Sequence, residues 1–228
     1  MARSRPGGDH ALPVVAPVRE ALLLEELAAG RVALAEIDPT KARELVQHPD
    51  AEIRRQAAAL FEAAVPAARQ QVLKDYQSAL ELAADPRRGR LVFEKNCTTC
   101  HKIGDLGVDV APDIADSRTK TPAMLLTDIL HPNQAIDSNY VSYTVVTLAG
   151  KTYTGVIATE TASSITLRQP ENKTEIVLRQ EIDEMRSNGI SLMPEGLEKN
   201  ISQQEMADLI RFIKHWRYLD GQVPVEAK

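Results

Sequence analysis

Apolar positions in the first third of the chain recur at helical spacing. In AEIRRQAAALFEAA the residues Ile53, Ala57, Leu60, Phe61 and Ala64 fall on one face, and Asp50 supplies an N-cap ahead of them. Asp38-Pro39 marks another helix start, a cap followed by proline at the first helical position. Asp85-Pro86 opens a third helix through RRGRLVFEKNC. Thr121-Pro122 opens a fourth through AMLLTDIL, which His131-Pro132 stops because the residue before a proline is pushed out of the helical region. Residues 102–120 read as loop. The period then changes. Between 140 and 180, 16 of 41 residues are Val, Ile or Thr, and YVSYTVVTLAGKTYTGVIATE predicts two strands joined around Gly150. SSITLRQPENKTEIVLRQ predicts two more joined at PENK, with EIDEM as a candidate fifth. Ser202-Gln203-Gln204-Glu205 is a capping box. It starts a last helix with Met206, Leu209, Ile210, Ile213 and Trp216 on one face.

Composition adds a boundary. Residues 1–85 contain 20 alanines and the remaining 143 residues only 9. The predicted organisation is a flexible leader (1–16), an Ala-rich helical segment (17–85), a domain over 86–219 with a β-rich insert at 140–184, and a tail (220–228). LVQHPDAEIRRQAAALF resembles one unit of a HEAT-type repeat without a second convincing copy, so a plain helical bundle stands beside a solenoid fragment. The insert predicts a small antiparallel sheet or barrel, with an alternation and a Gly155 that resemble Sm- or SH3-like barrels. Net charge of −5 argues against a protein that tracks nucleic-acid phosphates. No apolar run approaches the ~18 residues of a membrane helix. The apolar stretch ALPVVAPV is broken by Pro13 and Pro17, so the start reads as a leader rather than a secretory signal; an export signal is expected outside this sequence.

The chain has two cysteines, and they form Cys97-Thr98-Thr99-Cys100 with His101 immediately after. A thioredoxin-like dithiol wants its pair between a strand and a helix, whereas charged, helical RLVFEKN precedes this one. A zinc site wants four ligands, and no second cysteine pair exists. Two structural cysteines beside a surface histidine is the bland alternative. C-x-x-C-H is otherwise the signature of covalent haem attachment: one helical turn separates the sulfurs beneath the two vinyl groups of one porphyrin, and the following imidazole is directed at the iron.

A haem held by His101 alone is open and reactive, whereas a second protein ligand makes it an electron carrier. Met124 and Met206 lie among apolar helical positions and read as core, Met1 is terminal, and Met185 sits in a charged stretch. Met193, in the loop SNGISLMPEGLE, is the preferred ligand, because an exposed loop methionine seldom has a packing purpose. His131 is the alternative distal ligand, although it reads first as a helix stop. His10 and His48 belong to the leader and the Ala-rich part, and His215 reads as solvent-facing. Arg118, Lys120 and Tyr140 read as surface residues before propionate contacts, and Glu181, Asp183 and Glu184 as a solvated strand end.

Residues 86–219 resemble a class I cytochrome c, with Gly89 and Phe93 leading into CTTCH, a proline loop, a methionine loop and a closing amphipathic helix. The resemblance implies a cytochrome c fold interrupted by the insert, in a chain that is mainly α. It implies close crossing of the first and last helices, with Gly89, Phe93, Phe212 and Trp216 at the contact. It also implies that the Pro112 carbonyl orients the ring of His101. RGRLVFEKNCTTCHKIGDLG, PDI, ILHPNQAI and SLMPEGL are further similar to the haem-binding domain family of Planctomycetes and Verrucomicrobia. That family usually has Gly-Pro-Asp-Leu where this chain has Ala111-Pro112-Asp113-Ile114. The separation of 92 residues between His101 and Met193 exceeds that of a compact cytochrome, and the insert accounts for most of the excess. The implied function is single-electron transfer by one covalent haem c on Cys97, Cys100, His101 and Met193. The expected partner is a redox protein, such as a sugar-dehydrogenase-like domain, and the expected location is the periplasm. No catalytic residue, nucleic acid or membrane span is expected. Two rivals remain open: a haem sensor or peroxidase-like site if Met193 does not bind iron, and haem as a structural staple in an interaction scaffold.

Overall fold

The computed structural model describes residues 16–34 and 37–219. The expected leader up to residue 15, with Met1 and His10, and the tail from residue 220 lie outside the described residues. Two compact units divide between Ala64 and Val65.

In the first unit three helices bury the apolar stripes read from the sequence: α1 (Ala16–Ala28), α2 (Pro39–Val46) and α3 (Ala51–Ala63). Their core is Leu24, Leu27, Leu45, Ile53 and Ala57. The Asp50 carboxylate accepts the amides of Glu52 and Ile53 at 2.8 and 3.1 Å, which satisfies two of the donors that a helix N-terminus leaves unpaired. His48 is half-buried here, with its Nε2 3.3 Å from the Glu20 carboxylate.

The second unit holds α4 (Ala67–Tyr76), α5 (Pro86–Asn96), α6 (Pro122–Leu130) and α7 (Gln203–His215). Composition shifts near residue 85, but the compact units part twenty residues earlier. Val72, Leu73 and Tyr76 of α4, with Ala79 and Leu80 of the following short helical turn, pack into the core built by Phe93, Leu126, Leu130, Met206 and Leu209. Alanine content tracks helix surface, whereas membership of a core depends on which larger side chains a helix presents.

Helices α5 and α7 cross closely at Gly89. A Cβ there would lie 1.9 Å from the Asp208 carbonyl oxygen and 2.8 Å from Cβ of Phe212. The rings of Phe93 and Phe212 pack beside this point, 5.6 Å apart and tilted by 55°, a favourable edge-biased geometry. Asp85 caps α5 by accepting the Arg87 amide at 2.8 Å. The capping box forms at α7, where the Ser202 side chain takes the Glu205 amide and Glu205 returns to the Ser202 amide.

Residues 102–120, expected as loop, contain regular structure. Strands β1 (Lys102–Ile103) and β2 (Leu106–Gly107) pair as a tight hairpin, and a helical turn covers Ile114–Thr119. The strands are too short to leave an alternation in the sequence. The insert forms β3 (Val141–Thr147), β4 (Thr152–Glu160), β5 (Ser164–Gln169), β6 (Lys173–Leu178) and β7 (Ile182–Ser191), an antiparallel sheet in the order β6-β5-β4-β3-β7. Its buried centre is Val145, Ile165, Leu167 and Val177. The insert was expected to end at residue 184, but β7 continues to Ser191. As an edge strand it pairs only with β3, and its outward charged residues hide the strand pattern. Glu181, Asp183 and Glu184 are exposed at its start, as expected.

Candidate functional site

The first turn after α5 builds the cysteine segment. The Cys97 amide continues the helix onto the Phe93 carbonyl at 2.8 Å, and the amides of Cys100 and His101 return to the Cys97 carbonyl at 3.2 and 2.8 Å. The two cysteines therefore stand one turn apart, both free and half-buried. Burial and the neighbouring Cys100 push the Cys97 thiol up to about 12. A reactive redox dithiol needs its attacking thiol lowered, so this environment opposes the thioredoxin-like reading. A tetrahedral zinc site lacks its further ligands, since among the described residues no three His, Cys, Asp or Glu side chains form a group that could hold a metal ion.

His101 is held by a segment eleven residues on. The amides of Val110 and Ala111 both bond the Cys100 carbonyl, at 3.1 and 2.8 Å, folding the chain back so that the Pro112 carbonyl meets Nδ1 of His101 at 2.8 Å. A carbonyl can only accept, so Nδ1 carries the proton and Nε2 presents a bare lone pair. Burial moves the imidazole below its ordinary pKa, outweighing the Pro112 carbonyl, which favours the protonated ring. A neutral imidazole with its far nitrogen unprotonated is the form that binds a metal. This donor set, an oriented imidazole beside two reduced cysteines one turn away, fits a haem attached at Cys97 and Cys100 with His101 on the iron.

Gly107 makes the fold-back possible. Its φ is +78°, and a Cβ there would lie 2.0 Å from the His101 carbonyl oxygen and 3.1 Å from Cα of Thr98. No motif marks Gly107 in the sequence, although a glycine in KIGDLG is the signal of a close backbone approach. The sheet also reaches this segment. The Glu171 amide, in the turn between β5 and β6, bonds the Thr99 carbonyl at 2.7 Å, and Arg168 donates to the Asp109 carbonyl.

Met193 follows β7 by two residues and is half-buried rather than exposed. Its amide bonds Oγ of Ser191 at 3.0 Å. The rest of its loop is fastened from two sides. Asn133 bonds both Ser191 and Glu195. Arg69 forks onto the Glu198 carboxylate at 2.6 and 3.1 Å and also reaches the Leu130 carbonyl, while the Tyr76 hydroxyl lies 2.9 and 2.7 Å from the carbonyls of Glu198 and Ile201. Asn133, Arg69 and Tyr76 carry no local motif, and nothing in the sequence pointed to them.

His131 caps the end of α6, its amide bonding the Thr127 carbonyl at 2.8 Å. Its ring is buried, with Nδ1 3.6 Å from the Glu195 carboxylate. His215, read as solvent-facing, is half-buried with its ring centroid 6.1 Å from that of Tyr218. Met206 is fully buried in the core, as expected. Lys120 pairs with Asp128 at 2.5 Å, and the carbonyls of Arg118 and Lys120 accept Lys214. Burial and the Asp109 carboxylate raise the Tyr140 phenol, with Arg168 opposing them.

Comparison with curated proteins finds no match. Residues 84–139, which run from the start of α5 through the cysteine segment and α6, match the cytochrome c family described as cytochrome C oxidase, cbb3-type, subunit III; this supports a c-type cytochrome, for which that family implies haem c and a part in electron transfer.

Proposed function

We propose that the second unit is a monohaem c-type cytochrome that passes single electrons. Cys97 and Cys100 would hold haem c covalently, and His101 and Met193 would bind its iron. The observation that carries this reading is the bond from Nδ1 of His101 to the Pro112 carbonyl, which orients the ring and keeps a proton on Nδ1. When bound, the haem supplies a one-electron ferric–ferrous couple, and a histidine–methionine ligand pair raises its potential relative to two histidines.

The residues around it have defined tasks. Pro112 holds the His101 proton on Nδ1, which would leave Nε2 for the iron. Gly107 lets the hairpin press against the His101 backbone. The buried core of Phe93, Leu126, Leu130 and Leu209 keeps α5, α6 and α7 fixed, which keeps reorganisation small as charge changes. The electron donor we propose is a dehydrogenase, such as a sugar-dehydrogenase-like domain, and the location we propose is the periplasm, because bacteria form thioether links to haem outside the cytoplasm.

The test is expression of the whole chain in a host with c-type cytochrome maturation. The expected product is red and gives a c-type haemochrome in reduced alkaline pyridine, at one haem per chain. Changing both Cys97 and Cys100 to Ala abolishes haem that survives acid extraction. Colourless protein with two titratable thiols overturns the proposal.

A further inference from the structure

We infer that Asn133 is a positioning residue for Met193, one carboxamide that holds the methionine loop on both sides of the ligand. The inference rests on the proposed role of Met193. The observation that carries it is a pair of bonds made by one side chain. Oδ1 of Asn133 accepts the Ser191 amide at 2.9 Å, and Nδ2 donates to the Glu195 carboxylate at 2.8 Å. Ser191 and Glu195 flank Met193 by two residues on either side. An amide N–H only donates and a carboxylate only accepts, so these partners fix which end of the carboxamide faces which. Rotating the amide by half a turn breaks both bonds.

The anchor sits beside the core. Asn133 follows α6, whose Leu126 and Leu130 are fully buried. His131 and Pro132 are buried too, and proline removes one backbone rotation next to the anchor. The loop is bound in series. Asn133 holds the Ser191 backbone, the Ser191 hydroxyl holds the Met193 amide at 3.0 Å, and Asn133 holds Glu195 on the far side. A thioether is a neutral, weakly bonding ligand on a side chain with three rotatable bonds. Its occupancy of a metal depends on its backbone being placed in advance. Glu195 is exposed, and besides Asn133 its carboxylate stands 3.6 Å from Nδ1 of the buried His131, a second tie between the end of α6 and the loop.

The experiment uses the full chain matured with haem. The ferric protein is expected to show the weak far-red charge-transfer absorption of methionine on iron, and Met193→Ala to lose it. Asn133→Leu, which keeps size and removes both bonds, is expected to diminish that band. It should also lower the midpoint potential toward that of Met193→Ala and tighten added imidazole, which competes with the methionine, by roughly tenfold. Haem content and helical circular dichroism should stay unchanged, a combination that a merely structural role does not give. Asn133→Asp keeps the acceptor for Ser191 but sets a second carboxylate against Glu195, and is expected to shift band and imidazole affinity in the same direction as Asn133→Leu. If Asn133→Leu does not fold, Glu195→Ala removes one of the two bonds at an exposed position and is expected to shift band and imidazole affinity in the same direction by less. Wild-type band and imidazole affinity in Asn133→Leu, or in Glu195→Ala where only that variant folds, overturn the inference. A wild-type spectrum without the band and unchanged by Met193→Ala overturns the ligand assignment itself, and is recognised before any Asn133 variant is made.

Discussion

The Glu171 amide donates to the Thr99 carbonyl at 2.7 Å, joining the turn between β5 and β6 to the middle of the Cys97–His101 segment. Glu171 and Asn172 both adopt left-handed backbone, with φ of 62° and 58°, an unusual conformation for residues with a side chain. Alongside them, Arg168 donates to the Asp109 carbonyl, three residues before the Pro112 carbonyl that holds His101. The inserted sheet thus braces the fold-back loop as well as carrying its own core. Removing the guanidinium with Arg168→Ala should cost the loop about 1.5–3 kcal/mol, the range of a hydrogen bond that involves a charged group. The sheet, whose centre is Val145, Ile165 and Leu167, should remain folded. Amide exchange measured residue by residue should quicken at Val110, Ala111 and Glu171 and stay unchanged at Val145 and Val156. Unchanged protection at Val110 and Ala111 would show that the sheet does not brace the loop.

Gly89 sets how near α5 and α7 can come. The Cβ of an alanine would meet the Asp208 carbonyl at 1.9 Å, contact with backbone that no rotamer change relieves. Gly89→Ala gains up to about 1 kcal/mol of helix propensity yet forces the helices apart, and overpacking of this kind costs about 1–3 kcal/mol or more. The expected result is a clearly lowered urea midpoint for the second unit. Leu91→Ala on the same helix is the control. Leu91 is 64% exposed, so its replacement should change stability by no more than about 0.5 kcal/mol.

The same helix pair shows why part of this protein was legible in its sequence. Asp50, Asp85, Thr121 and Ser202 act within four residues of themselves, so caps and starts could be read directly. The run Cys97–His101 is equally local, so the spacing of its cysteines and histidine could be read directly. Pro112 became readable only through resemblance, because the bond to His101 spans eleven residues. Asn133 to Ser191 spans 58 and Arg69 to Glu198 spans 129, distances at which nothing in either neighbourhood announces the other. β7 was cut short for a related reason. An edge strand with charged outward residues has no apolar alternation, and its pairing to β3 exists only after folding. α4 shares its alanines with α3, so composition alone places it with the first unit, while its Val72, Leu73 and Tyr76 serve the other core.

Asp208 contributes to the acid limb of stability. Its side chain is 2% exposed and accepts the Asp85 amide at 2.7 Å, Arg88 at 2.7 and 2.9 Å and Gln204 at 3.1 Å. Burial alone would raise its carboxyl, but Arg88, the Asp85 amide and Gln204 outweigh burial and hold it below the ordinary value. A carboxylate depressed by folding adds stability that is fully present above its unfolded pKa, about 3.9 for Asp, and is lost as pH falls through the lower folded value. Unfolding free energy measured between neutral pH and strong acid should therefore fall below about pH 4. In Asp208→Asn the neutral-pH stability should drop by about 2 kcal/mol, and the acid limb should flatten. An acid limb as steep as that of the native chain would place its origin elsewhere.

Arg69 and Glu198 form the most enclosed ion pair of the second unit, with side chains 13% and 11% exposed. The guanidinium forks onto the carboxylate and keeps Glu198 below its ordinary pKa, while Glu198 in turn raises Arg69. Removing one partner leaves a charge enclosed without compensation, which typically costs about 3–5 kcal/mol, whereas replacing both by apolar residues of similar size is often close to neutral. Arg69→Met and Glu198→Met should each destabilise strongly, Arg69→Met the more because it also loses the bond to the Leu130 carbonyl. The double variant should recover most of the stability. A double-mutant cycle from urea unfolding measures the coupling directly. If the matured double variant regains stability but its far-red methionine band weakens, the pair is retained to hold the loop in register and not for its net energy. If the two losses instead add, the residues act independently and the loop is held by Tyr76 and Asn133 alone.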